Sequence, residues 1–223
     1  MPTAAATAKT GAVRDAGGDV VDVAFRLAGG RLPVDHAFAL STAVGDALPW
    51  FARESDARLH QVHTAAAGSG WMRPEGAPGE LLHLSRRTRL ILRLPAQRAG
   101  DARALEGRRL DVDGYRLEPG AAKVVPLVAA DTLLARHVVC GENEEEARLV
   151  ARLGQALGAL DIEQGQVICG RAHRIATPDG VLHTRSVVVT GLDDAGAMAL
   201  MRRGLGPAGK LGCGVFVPYK RIA

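Results

Sequence analysis

Apolar and polar positions alternate along this chain with two periods, and their order predicts the secondary structure. A period of two residues indicates a strand, and a period near 3.6 residues indicates a helix. The first half is predicted to contain a strand, a helix, two strands, a helix and a strand at residues 20–27, 33–50, 58–64, 88–94, 98–107 and 109–117. The second half repeats that order at residues 131–140, 142–158, 164–169, 184–190, 193–203 and 211–217.

The repeated βαββαβ order predicts an α+β fold with two ferredoxin-like (RRM-like) domains in tandem. In this module, helices cover one face of a four-stranded antiparallel sheet. We expect a flexible leader at residues 1–19, an N-terminal domain at 20–118, a linker at 119–130 and a C-terminal domain at 131–223. Because such domains serve metal transport, regulation and RNA binding alike, the fold alone does not decide the function.

Composition indicates an ordinary globular protein. Its 223 residues are 47% hydrophobic, which is enough to fill buried cores. No apolar run approaches the length of about 18 residues that a membrane span needs, and the N-terminus lacks a secretory pattern, so we expect a cytoplasmic protein. Cys140, Cys169 and Cys213 are widely separated, which predicts neither a disulfide framework nor a zinc finger. We expect no metal ion and no cofactor.

Arginine supplies nearly all of the positive charge behind the formal net charge of +4. Its guanidinium group binds phosphate in a forked geometry and stacks on bases, although arginine usage of this kind also follows from a GC-rich genome. Arg87, Arg89 and Arg93 alternate along the predicted strand 88–94 and would project from one sheet face. This row is either a track for RNA phosphates or a solvated sheet face.

The tail has five glycines in eleven residues, from Gly204 to Gly214. It spells a G-x-G-x-x-G motif, but a dinucleotide site also needs a helix and a strand after the loop, and fourteen residues follow Gly209. It also spells most of a triphosphate-binding loop, but Leu211 stands where the magnesium-binding Ser or Thr belongs. What remains is a glycine-rich loop that either turns the chain or binds an anion through its backbone N–H groups.

Four segments of the chain together resemble one family. They are the loop at 206–214, the stretch Leu-Pro-Val-Asp-His-Ala-Phe-Ala-Leu at 32–40, the stretch at 84–90 and the ending at 212–220. From about Val20 onward the chain is similar to the CRISPR precursor-RNA endoribonucleases of the repeat-associated RNA-binding superfamily, and in particular to their myxobacterial-type subgroup. The resemblance implies that the chain binds CRISPR repeat RNA, both as precursor and as mature guide RNA. It also implies other subunits of a CRISPR effector complex as partners.

The resemblance also implies a reaction and a candidate for its catalytic group. Metal-independent cleavage by the RNA 2′-hydroxyl needs a base, an acid and positive charge near the phosphate. His36 lies at the predicted start of the first helix, where the helix dipole favours the neutral imidazole that can accept a proton. We therefore expect His36 to be catalytic, with His63, Lys210 and Tyr219 as candidate helpers, although a histidine at the position of His63 is more often merely structural.

The expected RNA-binding residues lie in three places. Arg87, Arg89 and Arg93 would form the first, and Arg171 and Arg174 the second. The latter two flank a predicted β-hairpin that turns at residues 178–180, which in relatives inserts at the base of an RNA stem. The third place is the tail loop, represented by Gly206, Lys210, Gly212 and Gly214.

Three other functions compete with cleavage of repeat RNA. A non-catalytic subunit of a CRISPR effector complex would keep the glycine loop and need no histidine. A two-histidine phosphoesterase would need two H-x-[ST] motifs, and only residues 83–85 fit one. A ferredoxin-like regulatory module would need a polar cluster for a metabolite, and the sequence suggests none.

Overall fold

The computed structural model describes residues 19–28, 30–63 and 80–219. The first domain contains, in chain order, β1 (Val20–Ala28), β2 (Arg31–Pro33), α1 (Ala37–Ala47), β3 (Arg58–His60), β4 (Leu81–His83), β5 (Arg89–Pro95), β6 (Leu110–Val112) and β7 (Tyr115–Pro126). Five of these strands form an antiparallel sheet in the order β3-β5-β1-β7-β6, and β2 pairs with β4 beside it.

The second domain repeats the plan with fewer strands. Its elements are β8 (Thr132–Val139), α2 (Glu146–Gly158), β9 (Gln166–Thr177), β10 (Gly180–Thr190), α3 (Asp194–Arg203) and β11 (Val217–Pro218). The four strands form an antiparallel sheet in the order β11-β8-β10-β9. Within the described part of the chain, no helix is long and apolar enough to cross a membrane.

Each domain has its own apolar core, as the periodicity requires. In the first, alternate residues of β5 turn Leu90, Leu92 and Leu94 inward against α1. In the second, Leu149, Leu153 and Leu157 recur every four residues along one face of α2 and pack on the sheet. The predicted α+β class with two such domains is confirmed.

Two predicted elements of the first domain differ from the structure. Residues 98–107 do not form an α-helix but two 3-10 turns, Ala96–Arg98 and Asp101–Leu105. Residues 109–117 do not form one strand, because Asp113 and Gly114 adopt φ angles of 53° and 79° and reverse the chain between β6 and β7. Strand β7 then continues to Pro126 alongside β1, so most of the stretch expected as a linker belongs to the first sheet.

The tail also differs from its predicted strand at 211–217. The chain makes a 3-10 turn at Gly209–Leu211, then further turns, and only Val217–Pro218 pairs with β8. The predicted helix at 33–50 is shorter than expected, because β2 occupies Arg31–Pro33 and α1 ends at Ala47. Residues 1–18, most of the expected leader, lie outside the described residues.

A buried guanidinium joins the two domains. Arg93 of β5 donates from Nε and Nη2 to the carboxylate of Asp22 at 2.8 and 3.0 Å. Its Nη1 donates across the domain boundary to the main-chain oxygens of Met201 and Phe216, at 3.0 and 2.7 Å. The second domain therefore covers part of the face of the first sheet that the helices leave open.

Candidate active site

His36 is the N-cap residue of α1 and is buried, with 1% of its surface exposed. Its Nδ1 lies 2.9 and 3.0 Å from the main-chain oxygens of Pro33 and Val34. Its Nε2 accepts a hydrogen bond of 3.0 Å from the main-chain N–H of Val62. This pattern fits a neutral imidazole protonated at Nδ1, with both nitrogens used to hold backbone. The predicted catalytic role of His36 stays a prediction, and it would require this buried ring to exchange its backbone contacts for contacts with RNA.

Three other histidines come together where the domains meet. His63 follows β3 of the first domain, while His137 lies on β8 and His173 on β9 of the second. The ring of His137 is stacked on that of His63 with 6.4 Å between centroids, and it meets His173 edge to face at 5.1 Å. All three side chains are partly exposed. We call this group the histidine cluster.

The hydroxyl of Thr184 contacts two members of the histidine cluster. Thr184 lies on β10 between the two strands that carry His137 and His173, and its side chain is fully buried. Its Oγ1 is 3.1 Å from Nδ1 of His137 and donates to the main-chain oxygen of His173 at 3.4 Å. The hydroxyl of Thr184 therefore links the ring of His137 to the backbone of His173.

A small apolar cluster closes the boundary beside the histidines. Ala37 of α1, Ile175 of β9 and Cys213 of the tail are buried against one another. The carboxylate of Asp35 accepts a 2.8 Å hydrogen bond from the N–H of Ala176, which fixes the start of α1 to β9. Burial raises the pKa of the Cys213 thiol to about 12, so this group is not a nucleophile at neutral pH.

The glycine loop packs on itself and on the first domain. Gly212 and Gly214 are buried with φ angles of 84° and 64°, and the N–H of Gly214 donates to the main-chain oxygen of His137 at 2.7 Å. A Cβ atom at Gly214 would collide with the carbonyl of Leu205, and one at Gly212 would lie 2.7 Å from Cγ of Gln61. These two glycines therefore do not offer their backbone to RNA, contrary to expectation.

The part of the glycine loop around Gly206 does face solvent. Gly206 is exposed, and a Cβ atom there would meet nothing within 4 Å. A surface cavity of about 290 Å³ lies beside it, lined on the first-domain side by Arg58 and on the loop side by Lys210. The ammonium group of Lys210 donates to the main-chain oxygen of Ala52 at 2.7 Å. The cavity thus has two cations and a bare backbone on its walls.

The three arginines predicted to line one face of β5 do not form an exposed row. Arg87 lies in the turn before the strand and is exposed, while Arg89 is half-buried and donates to the main-chain oxygens of Arg86 and Thr88. Arg93 is 1% exposed and pairs with Asp22. Arg89 and Arg93 do lie on one face of β5, as the alternation predicts, but the second domain covers that face at Arg93. Arg93 therefore cannot bind RNA.

The predicted hairpin is present and longer than expected. Strands β9 and β10 pair from Gln166 to the turn before Gly180, and they carry Arg171 and Arg174 with exposed side chains. A shift in register between residues 185 and 187 of β10 alters the pairing near Arg171. The hairpin lies next to the histidine cluster because His173 stands between these two arginines in the sequence.

The remaining candidates lie elsewhere. Tyr219 is 44% exposed and its N–H bonds to Thr132 at the start of β8. Five residues of strand separate Thr132 from His137, a distance of about 17 Å, so Tyr219 is remote from the histidine cluster. Residues 64–79, which follow His63 in the sequence, lie outside the described residues. Within the described ranges, no group of three or more His, Cys, Asp or Glu side chains is arranged to hold a metal ion.

The sequence offered no reason to assign a role to His137, and at the hairpin it drew attention to Arg171 and Arg174 and not to His173. The proximity of His137 and His173 depends on the pairing of β8 with β10 and of β10 with β9, each of which has a register shift. A shift of this kind changes which residues share a sheet face, and no sequence signal marks it.

Comparison with known proteins identifies relatives of this chain. A family model described as Cas6 Crispr matches residues 21–221. The CRISPR-associated endonuclease Cas6 of Myxococcus xanthus (strain DK1622) is 29% identical over 203 residues, which are 91% of this chain and 83% of that relative.

Solved structures with low sequence identity share the fold. A Cas6-related protein of Pyrococcus furiosus has a TM-score of 0.62 at 12% identity, covering 91% of this chain and 99% of its own. A RAMP protein described as binding different RNA substrates has a TM-score of 0.64 at 9% identity, covering 90% of this chain and 100% of its own. These likenesses support the tandem arrangement of two ferredoxin-like domains.

Proposed function

This chain belongs to the Cas6 family of CRISPR proteins, and we propose that it is a metal-independent endoribonuclease that cuts CRISPR repeat RNA in a precursor transcript into guide RNAs. The 2′-hydroxyl attacks the adjacent phosphorus, which leaves a 2′,3′-cyclic phosphate and a 5′-hydroxyl. The observation that carries the proposal is the histidine cluster at the domain boundary, beside the glycine loop. Imidazole is the side chain best suited to move protons near neutral pH.

RNA binding is proposed for four cations, two of them on the hairpin and two beside the glycine loop. Arg171 and Arg174 project from the hairpin, and Lys210 and Arg58 line the cavity beside Gly206. Guanidinium groups bind phosphate oxygens in pairs, and exposed backbone at a glycine lets a phosphate approach closely. Together these groups offer a basic path that passes the histidines.

A non-cleaving RNA-binding subunit of an effector complex is the second candidate. It is favoured by the burial of His36, whose two nitrogens are both bonded to backbone. Such a subunit would bind the same repeat RNA through the same cations and release no product.

One incubation separates the two functions. We expect the protein, mixed in excess with the repeat RNA of its own CRISPR array, to cut it once per repeat, with and without EDTA. The upstream product should resist a phosphatase until acid opens its cyclic phosphate. A matched RNA with a 2′-deoxy nucleotide at the cut position should bind and stay intact. Binding without cleavage would favour the second candidate, and cleavage that needs a divalent ion would contradict the proposed mechanism.

A further inference from the structure

We propose that His137 and His173 are the catalytic base and acid of the cleavage reaction, and that Thr184 positions His137. This inference rests on the proposed function and names the residues that perform it. Sequence reasoning had placed the reaction at His36, which the structure uses to hold backbone.

The distance between His137 and His173 suits a pair of catalytic groups. The rings of His137 and His173 are 5.1 Å apart between centroids, compared with 6.4 Å for His63 and His137, and they come from strands on either side of β10. Phosphoryl transfer needs one group beside the attacking oxygen and one beside the leaving oxygen of a single phosphorus. Two imidazoles at this separation can reach both oxygens of one bound phosphodiester.

The hydroxyl of Thr184 bears on the tautomer of His137. Oγ1 of Thr184 lies 3.1 Å from Nδ1 of His137 and 3.4 Å from the main-chain oxygen of His173. In the proposed assignment, Thr184 accepts from Nδ1–H of His137, which places the basic lone pair of the imidazole on Nε2. His137 is then the base and His173 the acid, and the pH profiles of the two alanine variants test which of them has which role.

The strand that carries His137 and the ring of His137 are held from two sides, by the glycine loop and by the first domain. The main-chain oxygen of His137 accepts the N–H of Gly214, so the glycine loop fixes the strand that carries the base. On the first-domain side, His36 holds the N–H of Val62, the residue before His63, whose ring stacks on His137. A reaction centre needs this kind of support to hold reactive groups in place.

The proton and bond changes balance as follows. His137 takes the proton from the 2′-hydroxyl as the 2′-oxygen bonds to phosphorus. The bond between phosphorus and the 5′-oxygen breaks, and His173 gives its proton to that oxygen. The products are the 2′,3′-cyclic phosphate and the 5′-hydroxyl, with the two imidazoles in exchanged protonation states.

Single-turnover cleavage of the repeat RNA as a function of pH tests the assignment. Wild type should show a bell-shaped profile. His137→Ala and His173→Ala should each lower the maximal rate by about 100-fold or more, with RNA affinity changed by less than about tenfold. His137→Ala should lose the limb that rises with pH, and His173→Ala the limb that falls. His83→Ala, which removes an exposed histidine on β4, should cut at the wild-type rate.

A pair of variants at Thr184 guards against loss of folding. Thr184→Val keeps the shape but removes the hydroxyl, so we expect a rate about tenfold lower and a shifted rising limb. Thr184→Ser keeps the hydroxyl and should restore both. A purely structural threonine would lower thermal stability in Thr184→Val without moving the limb.

The possible results lead to different conclusions. Loss of rate in both histidine variants with the predicted limbs supports the assignment. Wild-type rates in folded His137→Ala or His173→Ala would overturn it while the proposed function stands. A wild-type protein that binds the repeat without cutting it would overturn the proposed function and this assignment together.

Discussion

At the scale of single residues, the most consequential side chain outside the histidine cluster is Arg93. It is buried, paired with Asp22, and bonded to two main-chain oxygens of the other domain. His60 lies 3.4 Å from the same carboxylate. Burial alone would raise the pKa of Asp22, but the hydrogen bonds from His60 and Arg93 lower it well below its usual range. The charged carboxylate is therefore required to balance a buried cation.

We expect Asp22→Asn to lower the free energy of unfolding by about 3 kcal/mol, because it leaves the Arg93 guanidinium buried without a counter-charge. Urea denaturation at pH 7 measures this free energy of unfolding. The control is Asp46→Asn, which makes the same change at an exposed position of α1. Because the folded pKa of Asp22 lies below its ordinary value of 3.8, its contribution is present above that pH and is lost as the pH falls. The difference in free energy of unfolding between wild type and Asp22→Asn should therefore shrink as the pH falls. Equal urea midpoints at pH 7 would contradict this account of the domain boundary.

Sequence reasoning at this scale recognised the right residue types and misjudged their surroundings. Arg89 and Arg93 do share a face of β5, as their spacing predicts. Whether that face meets solvent depends on Met201 and Phe216, more than a hundred residues away along the chain. The same reason explains His36, whose partner Val62 lies on a segment that periodicity cannot place beside α1.

At the scale of elements, the glycine loop combines two different requirements. Gly206 and Gly214 both have positive φ, at 77° and 64°, but Gly206 is exposed with open space around it and Gly214 is packed against Leu205. The glycine spacing predicted a loop correctly. It could not tell which glycines serve close packing, because that depends on where the loop folds back on β3 and β8.

A matched pair of substitutions separates these requirements. Alanine at either position bears a similar cost of positive φ, about 1 to 2 kcal/mol. Gly214→Ala adds the collision with Leu205, so we expect it to be less stable than Gly206→Ala by at least about 2 kcal/mol, measured by urea denaturation. Gly206→Ala should stay folded and weaken repeat RNA binding in a filter assay. Equal stability of the two variants would show that the loop relaxes freely around residue 214.

At the scale of the whole molecule, the order of elements was predictable and the boundary between domains was not. Two βαββαβ patterns are local properties of the chain, and each domain does form an antiparallel sheet, although the first sheet has five strands and not the expected four. The histidine cluster, by contrast, needs His63 from one domain and two strands of the other to meet. Its existence follows from how the sheets dock, and no periodicity within one domain encodes that.

The hairpin β9–β10 supplies the last prediction, because it carries exposed Arg171 and Arg174 close to His173 in the sequence. His173 and Arg174 are neighbours on a regularly paired part of β9, so they lie on opposite faces of the strand. RNA that reaches the histidine cluster across the edge strand β9 should therefore contact the hairpin arginines from both faces. Replacing both with alanine should weaken repeat RNA binding and lower the slope of log affinity against log salt by about 0.7 to 0.9 for each phosphate that the variant no longer neutralises.

The double variant Arg108→Ala with Arg109→Ala is the control, since it removes the same charge. It does so from exposed sites just before β6, at the opposite edge of the first sheet from β3. Long-range attraction would change equally in both proteins, whereas direct binding of phosphate would weaken only in the protein without the hairpin arginines. An equal salt slope in the two double variants would mean that RNA does not cross the hairpin, and it would place the path to the histidine cluster on the glycine-loop side alone.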